Sequence, residues 1–309
     1  MGASRRFSPL HAASPEAAQE GLRHLVHSSP HEFRQLLTRP TSRWTLAGLR
    51  DVLLWVSHYS LSGIWRLLQG FALHWKRGRD HVRSPDPDYH AKLAYLATCQ
   101  AAVEQDPRRR VLLFQDELTY YRQPTLASSF APSGSKEPLA ERSHRSNTPT
   151  RLTGALNART GQVSVLQAPR IGVPELVRFY EHLAHQYAAA ERIYLVQDNW
   201  PVHFHPDVLA ALEPQEWPWP WLRPGNWSTA PSASARRLHL PIQLVPLPTY
   251  ASWANPIEKL WRWLRQDLLH LHPWADDLAE LRRQVLAFLD QFAQGSSDLL
   301  RYVGLLTPG

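Results

Sequence analysis

The chain has 309 residues, of which 43% are hydrophobic and 20% are charged, and its formal net charge is +7. This composition is typical of a globular protein and excludes a disordered chain, and no apolar run reaches the roughly 20 residues that span a bilayer. Cys99 is the single cysteine, which excludes an internal disulfide and a cysteine-based zinc site and favours the reducing cytoplasm.

The positive charge is concentrated in the first third of the chain. Residues 1–92 contain 13 Lys and Arg against 7 Asp and Glu, a net charge of +6, whereas residues 93–309 contain 21 against 20, a net charge of +1. This asymmetry predicts that the N-terminal region contacts a polyanion such as DNA. A general contribution of the charge to solubility is the alternative.

Two short helices are predicted in this basic region. Thr45 or Ser42 can cap the first, and Ser60 or Ser62 can cap the second, which Gly70 ends. Together they predict a helix-turn-helix at about residues 42–72, within a helical DNA-binding region over residues 1–83. A plain helical hairpin with a solvated basic tail is the alternative. The predicted DNA contacts are Arg66, Lys76, Arg77 and Arg79.

Strands and helices alternate in the remainder of the chain. A linker and a helix are expected over residues 84–107, an α/β domain over 108–295 with an insertion at 213–239, and a C-terminal tail over 296–309. The predicted strands are residues 111–115, 118–122, 152–157, 162–167, 193–197 and 242–247, the second being expected to turn back on the first as a hairpin. The predicted helices begin at residue 174, at residue 255 and at residue 275.

Three acidic residues follow or begin predicted elements of this domain. Asp116 follows the strand 111–115, Asp198 follows the strand 193–197, and Glu258 lies one turn into the helix that begins at Asn255. Carboxylates at the C-terminal edge of such a sheet are ligands for Mg²⁺ or Mn²⁺, and a pair of these ions can drive phosphodiester cleavage and transfer. Each acid alone has an ordinary alternative: a strand end, an Asp-Asn turn, and a capping box with Asn255.

Further polar residues are expected to support this site. Glu117 points away from Asp116 if the strand continues, and Asn199 and His203 can orient a ligand carboxylate, a water or a phosphate. Trp261, three residues after Glu258, can support that residue or meet nucleic acid. The pair His203 and His205 provides no complete set of metal ligands, and ordinary surface or core positions are expected for most histidines.

Three blocks of sequence resemble the mariner-related DDE transposases of bacterial insertion sequences. The blocks are Phe114-Gln-Asp-Glu117, Val196-Gln-Asp-Asn199 with His203, and Leu247-Pro-Thr-Tyr-Ala-Ser-Trp-Ala-Asn-Pro-Ile-Glu-Lys-Leu-Trp261. The last block is the most specific, and the resemblance covers about residues 42–275. Three departures from the family are a single helix-turn-helix unit where two are usual, a longer spacing between Asp198 and Glu258, and a bulkier Trp200-Pro201 pair.

The resemblance implies a ribonuclease-H-like mixed sheet flanked by helices, preceded by a small all-α helix-turn-helix region. It implies that Asp116, Asp198 and Glu258 bind two Mg²⁺ or Mn²⁺ ions, with Asn255 among the supporting residues. The expected activity is cleavage at transposon ends and transfer of the freed 3′-hydroxyl into target DNA. By analogy with paired-end cutting, the expected assembly is a homodimer, and the expected location is the nucleoid of the cytoplasm. The alternatives are a decayed or domesticated DNA-binding protein without catalysis, and a ribonuclease-H-like nuclease that acts on hybrids or junctions.

Overall fold

The computed structural model describes residues 15–76, 84–134, 137–215, 218–219 and 223–306. The chain divides into two compact units, Met1–His81 and Val82–Gly309. The predicted DNA contacts Arg77 and Arg79 lie outside the described residues. Among the described helices, none is long and apolar enough to cross a membrane.

In the described part of the first unit, three α-helices pack around one small core. The helices are α1 Pro15–His27, α2 Leu46–Val52 and α3 Leu61–Gly70. Of the candidate caps, Thr45 and Ser60 are the ones used: their hydroxyl oxygens accept hydrogen bonds from the backbone N–H groups of Gly48 and Gly63, at 3.0 and 3.1 Å. The core consists of Leu22, Leu25, Leu49, Val52, Leu53, Val56, Ile64 and Leu68.

The second unit contains one mixed sheet with helices on both faces. In chain order its elements are α4 Tyr89–Gln105, β1 Arg110–Tyr121, β2 Pro149–Asn157, β3 Val163–Ala168, α5 Val173–Gln186, β4 Arg192–Gln197, α6 Pro206–Leu209, β5 Ile242–Pro246, α7 Ile257–Leu264, α8 Leu278–Asp290 and α9 Ser297–Val303. The strand order is β3-β2-β1-β4-β5. The pairs β1–β2 and β2–β3 are antiparallel, and β1–β4 and β4–β5 are parallel. The expected α/β mixed sheet flanked by helices is confirmed.

Successive side chains of β1 pack alternately into two separate hydrophobic cores. Phe114 and Leu118 belong to the core that contains residues of α4, α7 and α8, whereas Leu113 belongs to the core that contains residues of α5 and α6. This division follows from the alternation of side chains along a strand. It determines on which face of the sheet each polar residue of β1 is placed.

The predicted hairpin at residues 118–122 is wrong, because β1 continues without a turn to Tyr121. This strand pairs with β2 in a register that runs from Leu113 opposite Asn157 to Tyr121 opposite Pro149, with Asp116 opposite Gly154. The long strand is favoured because Leu118 and Tyr120 continue the alternation and are buried. Asp116 therefore lies inside a strand rather than at its end.

The segments on both sides of the expected α/β domain, residues 84–107 and 296–309, contact that domain. In the expected linker, Ser84 donates a hydrogen bond to the carbonyl of Thr249 at 2.6 Å, and Asp86 accepts one from the N–H of Thr249 at 2.8 Å. The segment expected to be a tail instead contains α9, because Leu299 and Val303 are buried in the core that includes α7. The second unit therefore includes residues before 108 and after 295, beyond both bounds of the expected α/β domain.

Candidate active site

The sheet brings the predicted acids to one place. The parallel pairing of β1 with β4 ends at Phe114 opposite Val196, and its continuation by two residues places Asp116 level with Asp198. Glu258 comes from the first turn of α7, which packs against β1 on the side of Phe114. Asp116, Asp198 and Glu258 all line one pocket of about 410 Å³.

These carboxylates repel one another. Burial, followed by the charges of Glu258, Glu117 and Asp198, raises the pKa of Asp116 to about 8. Burial also raises the pKa of Glu258, where the charge of Asp198 adds to it and Arg265 and Arg262 oppose it. Burial acts in the same direction on Asp198, but its contact with His203 outweighs burial and leaves that pKa below its usual value. Such a set of oxygen donors fits a divalent cation, whose charge would relieve the repulsion.

Trp261 orients Asp116. Its indole Nε1 donates a hydrogen bond to Oδ2 of Asp116 at 3.0 Å, and its side chain is buried. The contact depends on Gly154, the partner of Asp116 on β2, because a Cβ there would lie 2.6 Å from Cη2 of Trp261. Trp261 thus supports the first acid rather than the neighbouring Glu258. A glycine inside a strand pattern is the signal for such a close approach.

Glu117 lies on the opposite face of β1 from Asp116, as expected for a continuous strand. Its Oε1 accepts hydrogen bonds from Nε2 of Gln115 at 2.6 Å and from the hydroxyl of Thr153 at 3.1 Å. Nε2 of His203 lies 3.5 Å from Oε2 of Glu117 and 3.4 Å from Oδ1 of Asp198. Burial lowers the pKa of His203, but the two carboxylates outweigh burial and raise it to about 9.

The two asparagines hold backbone segments around the pocket. Asn255 donates from Nδ2 to the carbonyl of Gln115 at 2.9 Å, and Asn199 donates to the carbonyl of Leu247 at 2.7 Å. The alternative of a capping box is wrong, because α7 has no side-chain cap and Asn255 is bonded to β1 instead. Glu258 is therefore available to the pocket.

The predicted DNA contacts that the structure describes lie at the surface of the first unit. Arg66 is exposed on α3, next to the exposed Trp65, while Ile64 and Leu68 of the same helix face the core. Lys76 is also exposed. These positions leave both cationic groups accessible to a polyanion.

The pocket falls within the region that matches a known family. The model of the family described as DDE superfamily endonuclease matches residues 111–282. Among curated proteins, the insertion element IS630 uncharacterized 39 kDa protein of Shigella sonnei is 21% identical over 271 residues, which cover 87% of this chain and 69% of that protein.

Solved structures of a transposase share the fold. The Mos1 mariner paired end complex with Mn matches with a TM-score of 0.50 at 12% identity, covering 94% of this chain and 89% of that chain. The corresponding complex with Mg matches with a TM-score of 0.50 at 14% identity, covering 93% and 89%. These matches confirm the expected ribonuclease-H-like architecture.

Proposed function

The chain belongs to the DDE superfamily endonucleases, and from this premise we propose that it is a DNA transposase of an insertion sequence. It would cut DNA at the ends of the element and transfer the freed 3′-hydroxyl into target DNA. The observation that supports this proposal is the pocket shared by Asp116, Asp198 and Glu258, which follow one another along the chain in the order that the transposase blocks require.

Two Mg²⁺ or Mn²⁺ ions are the proposed cofactors, with Asp116, Asp198 and Glu258 as their catalytic ligands. When bound, such ions lower the pKa of an attacking water or hydroxyl and stabilise the leaving oxygen of a phosphodiester. The donor chemistry supports this assignment, because three carboxyl groups line the pocket and its described lining contains no Lys or Arg.

The chain's own residues keep these ligands in position. Trp261 fixes one oxygen of Asp116, and Asn199 ties the segment after β4 to the end of β5. Asn255 ties the segment before α7 to β1, which sets the start of the helix that carries Glu258. Fixed ligands need little rearrangement when substrate binds, which favours in-line displacement.

Residues 1–83 are proposed to bind the terminal inverted repeats of the element, with residues 108–295 as the catalytic domain. The exposed Arg66 and Lys76 and the net charge of +6 over residues 1–92 support a DNA-binding role. Pairing of two element ends would require two protomers, so we propose a homodimer. A chromosomal DNA substrate implies action at the nucleoid.

Substitution of Glu258 tests the catalytic assignment. We expect Glu258→Gln to reduce Mg²⁺-dependent cleavage of a duplex that contains the element's inverted repeats by at least about a hundredfold, because a metal-binding carboxylate is lost. Binding of that duplex should remain unchanged. Cleavage is measured on gels and binding by fluorescence anisotropy.

The matched control is Glu104→Gln, at an exposed position of α4. It should leave both measurements unchanged. Full cleavage by Glu258→Gln would refute the catalytic role of that residue. A wild-type protein that binds the repeats but cuts nothing at any Mg²⁺ or Mn²⁺ concentration would favour the non-catalytic DNA-binding alternative.

A further inference from the structure

A buried histidine nitrogen beside the catalytic pocket has no hydrogen-bond partner. His203 is 0% exposed, and its Nε2 makes no hydrogen bond to any of the described residues. The nitrogen is directed at two carboxylates, Glu117 and Asp198, and one ligand atom from each of the three residues lies within 4.8 Å of the others. A buried polar atom without a partner is costly, so this arrangement needs an explanation.

The distances are those of neighbouring ligands around a cation. Nε2 lies 3.4 Å from Asp198 and 3.5 Å from Glu117, which is longer than a good N–H···O hydrogen bond. Two ligands bound at about 2.1 Å and separated by a near-tetrahedral angle lie about 3.4 Å apart. Each of these two distances thus fits a cation held between His203 and one carboxylate, and the ligand atoms of all three residues lie within 4.8 Å of one another.

The contacts of the imidazole ring favour the metal-binding tautomer. The hydroxyl of Tyr180 donates to Oε1 of Gln197 at 3.0 Å, so its oxygen can accept the Nδ1–H of His203, which lies 3.3 Å away. With the Nδ1–H donated to Tyr180, a metal ion that displaces the second ring proton would bind the lone pair of Nε2. Trp200 packs edge-on against the ring at 5.3 Å between centroids, which restricts its rotation.

The oxygen ligands are also held in place. Gln115 and Thr153 both bond to Oε1 of Glu117, which leaves Oε2 directed towards His203. The backbone N–H of Trp200 donates to Oδ1 of Asp198 at 2.9 Å. Both contacts of Asp198 use Oδ1, so a carboxylate shared between two cations would keep Oδ2 for the second one.

We propose that Glu117, Asp198 and His203 form a binding site for a divalent transition-metal ion, with Asp198 shared between this site and the catalytic pocket. An imidazole ligand favours Mn²⁺, Co²⁺ or Zn²⁺ over Mg²⁺. The sharing of Asp198 with a catalytic metal centre rests on the proposed function. The site itself does not, because its three residues stand on their own geometry.

Mn²⁺ alone is the probe, and the readout is coupling of its unpaired electrons to a nitrogen nucleus in pulsed electron paramagnetic resonance of the full chain without DNA. We expect bound Mn²⁺ to show coupling to one imidazole nitrogen. The coupling should disappear in His203→Gln and persist in the matched variant His205→Gln, whose histidine instead accepts a hydrogen bond from the N–H of Asp207 through Nδ1. Absence of nitrogen coupling in the wild type, or its persistence in His203→Gln, would overturn the proposal.

Glu117→Gln provides a second test in case His203→Gln does not fold. Loss of this oxygen ligand should weaken Mn²⁺ binding about tenfold while nitrogen coupling persists at saturation, and an unchanged affinity would overturn the proposal. Glu258→Gln should retain the nitrogen coupling whether or not it still cleaves DNA. A failed cleavage test is thereby distinguished from a failed metal site.

Discussion

At the scale of single residues, the most consequential contact links Trp261 to Asp116 across 145 positions of sequence. The indole ring reaches the carboxylate only because Gly154 has no side chain on the neighbouring strand. A carboxylate with one oxygen already bonded has fewer orientations available to it. Because residue 154 has no side chain, Trp261 can reach Asp116 on the neighbouring strand and fix the orientation of its carboxylate.

Addition of that methyl group is the corresponding experiment. We expect Gly154→Ala to displace Trp261, to lower the free energy of unfolding by about 1–3 kcal/mol and to reduce DNA cleavage, because a well-packed core does not accommodate the extra carbon. Urea denaturation and a cleavage assay measure the two effects. The control is Gly225→Ala, where a Cβ meets no atom within 4 Å. Equal stability and cleavage in both variants would contradict the packing argument.

The three acids could be found from the sequence, because each follows a run of apolar residues or a helix start that is itself visible. The partners of those acids could not be found in the same way. The contact of Trp261 with Asp116, and of His203 with Glu117, depends on the register of β1 against β2 and β4, which no local pattern contains. The sequence predicts a supporting role for His203, but no local pattern predicts that His203 is buried.

At the scale of elements, the positions of the strands are predicted from the sequence, but the length of β1 is not. The sequence predicts that residues 118–122 turn back on the strand 111–115 as a hairpin, with Asp116 and Glu117 between the two strands. In the structure the pairing with β2 continues through both positions, because each side chain finds a site on its own face of the sheet. The pairing of β1 with β2, rather than the local charge, therefore determines where β1 ends.

Helix α3 carries the prediction for DNA binding. Arg66 and Trp65 are exposed on it, opposite the buried Ile64 and Leu68. We expect Arg66→Ala to weaken binding of the terminal repeats and to reduce the slope of log affinity against log salt by about 1, because one phosphate contact and its released counterion are lost.

Fluorescence anisotropy over a series of NaCl concentrations measures this slope. Arg23→Ala, at an exposed position of α1, is the matched control and should retain the wild-type slope. An unchanged slope in Arg66→Ala, or an equal change in both variants, would argue against α3 as the DNA-contacting helix.

At the scale of the whole molecule, the crowded carboxylates couple folding to pH. Burial and the charges of the neighbouring carboxylates raise the pKa of Asp116 in the folded chain from its ordinary value of 3.8 to about 8, so the folded state holds a proton that the unfolded state releases. The stability contributed by this group is complete below about pH 4 and is lost as the pH rises towards 8. Without divalent ions, Asp116 therefore destabilises the folded protein most at alkaline pH.

Asp116→Asn should remove this dependence. Without divalent ions at pH 8, we expect the variant to exceed the wild type in free energy of unfolding by at least about 1 kcal/mol, because the repulsion is absent. Addition of Mg²⁺ should stabilise the wild type and not the variant. Thermal unfolding at pH 5 and pH 8 measures both effects, with Asp290→Asn on the exposed side of α8 as the control. A variant no more stable than the wild type at pH 8 would contradict the repulsion between the carboxylates.

Helix α9 provides a way for a gene that encodes this protein to lose its activity. Lys259, next to Glu258, donates a hydrogen bond from Nζ to the carbonyl of Val303 at 2.7 Å, and Leu299 and Leu300 are buried. A premature stop codon just before residue 297 would leave every acid of the pocket encoded and yet deprive α7 of its support. Inactivation of a copy can therefore begin in the codons of α9, before any mutation reaches the acids of the pocket.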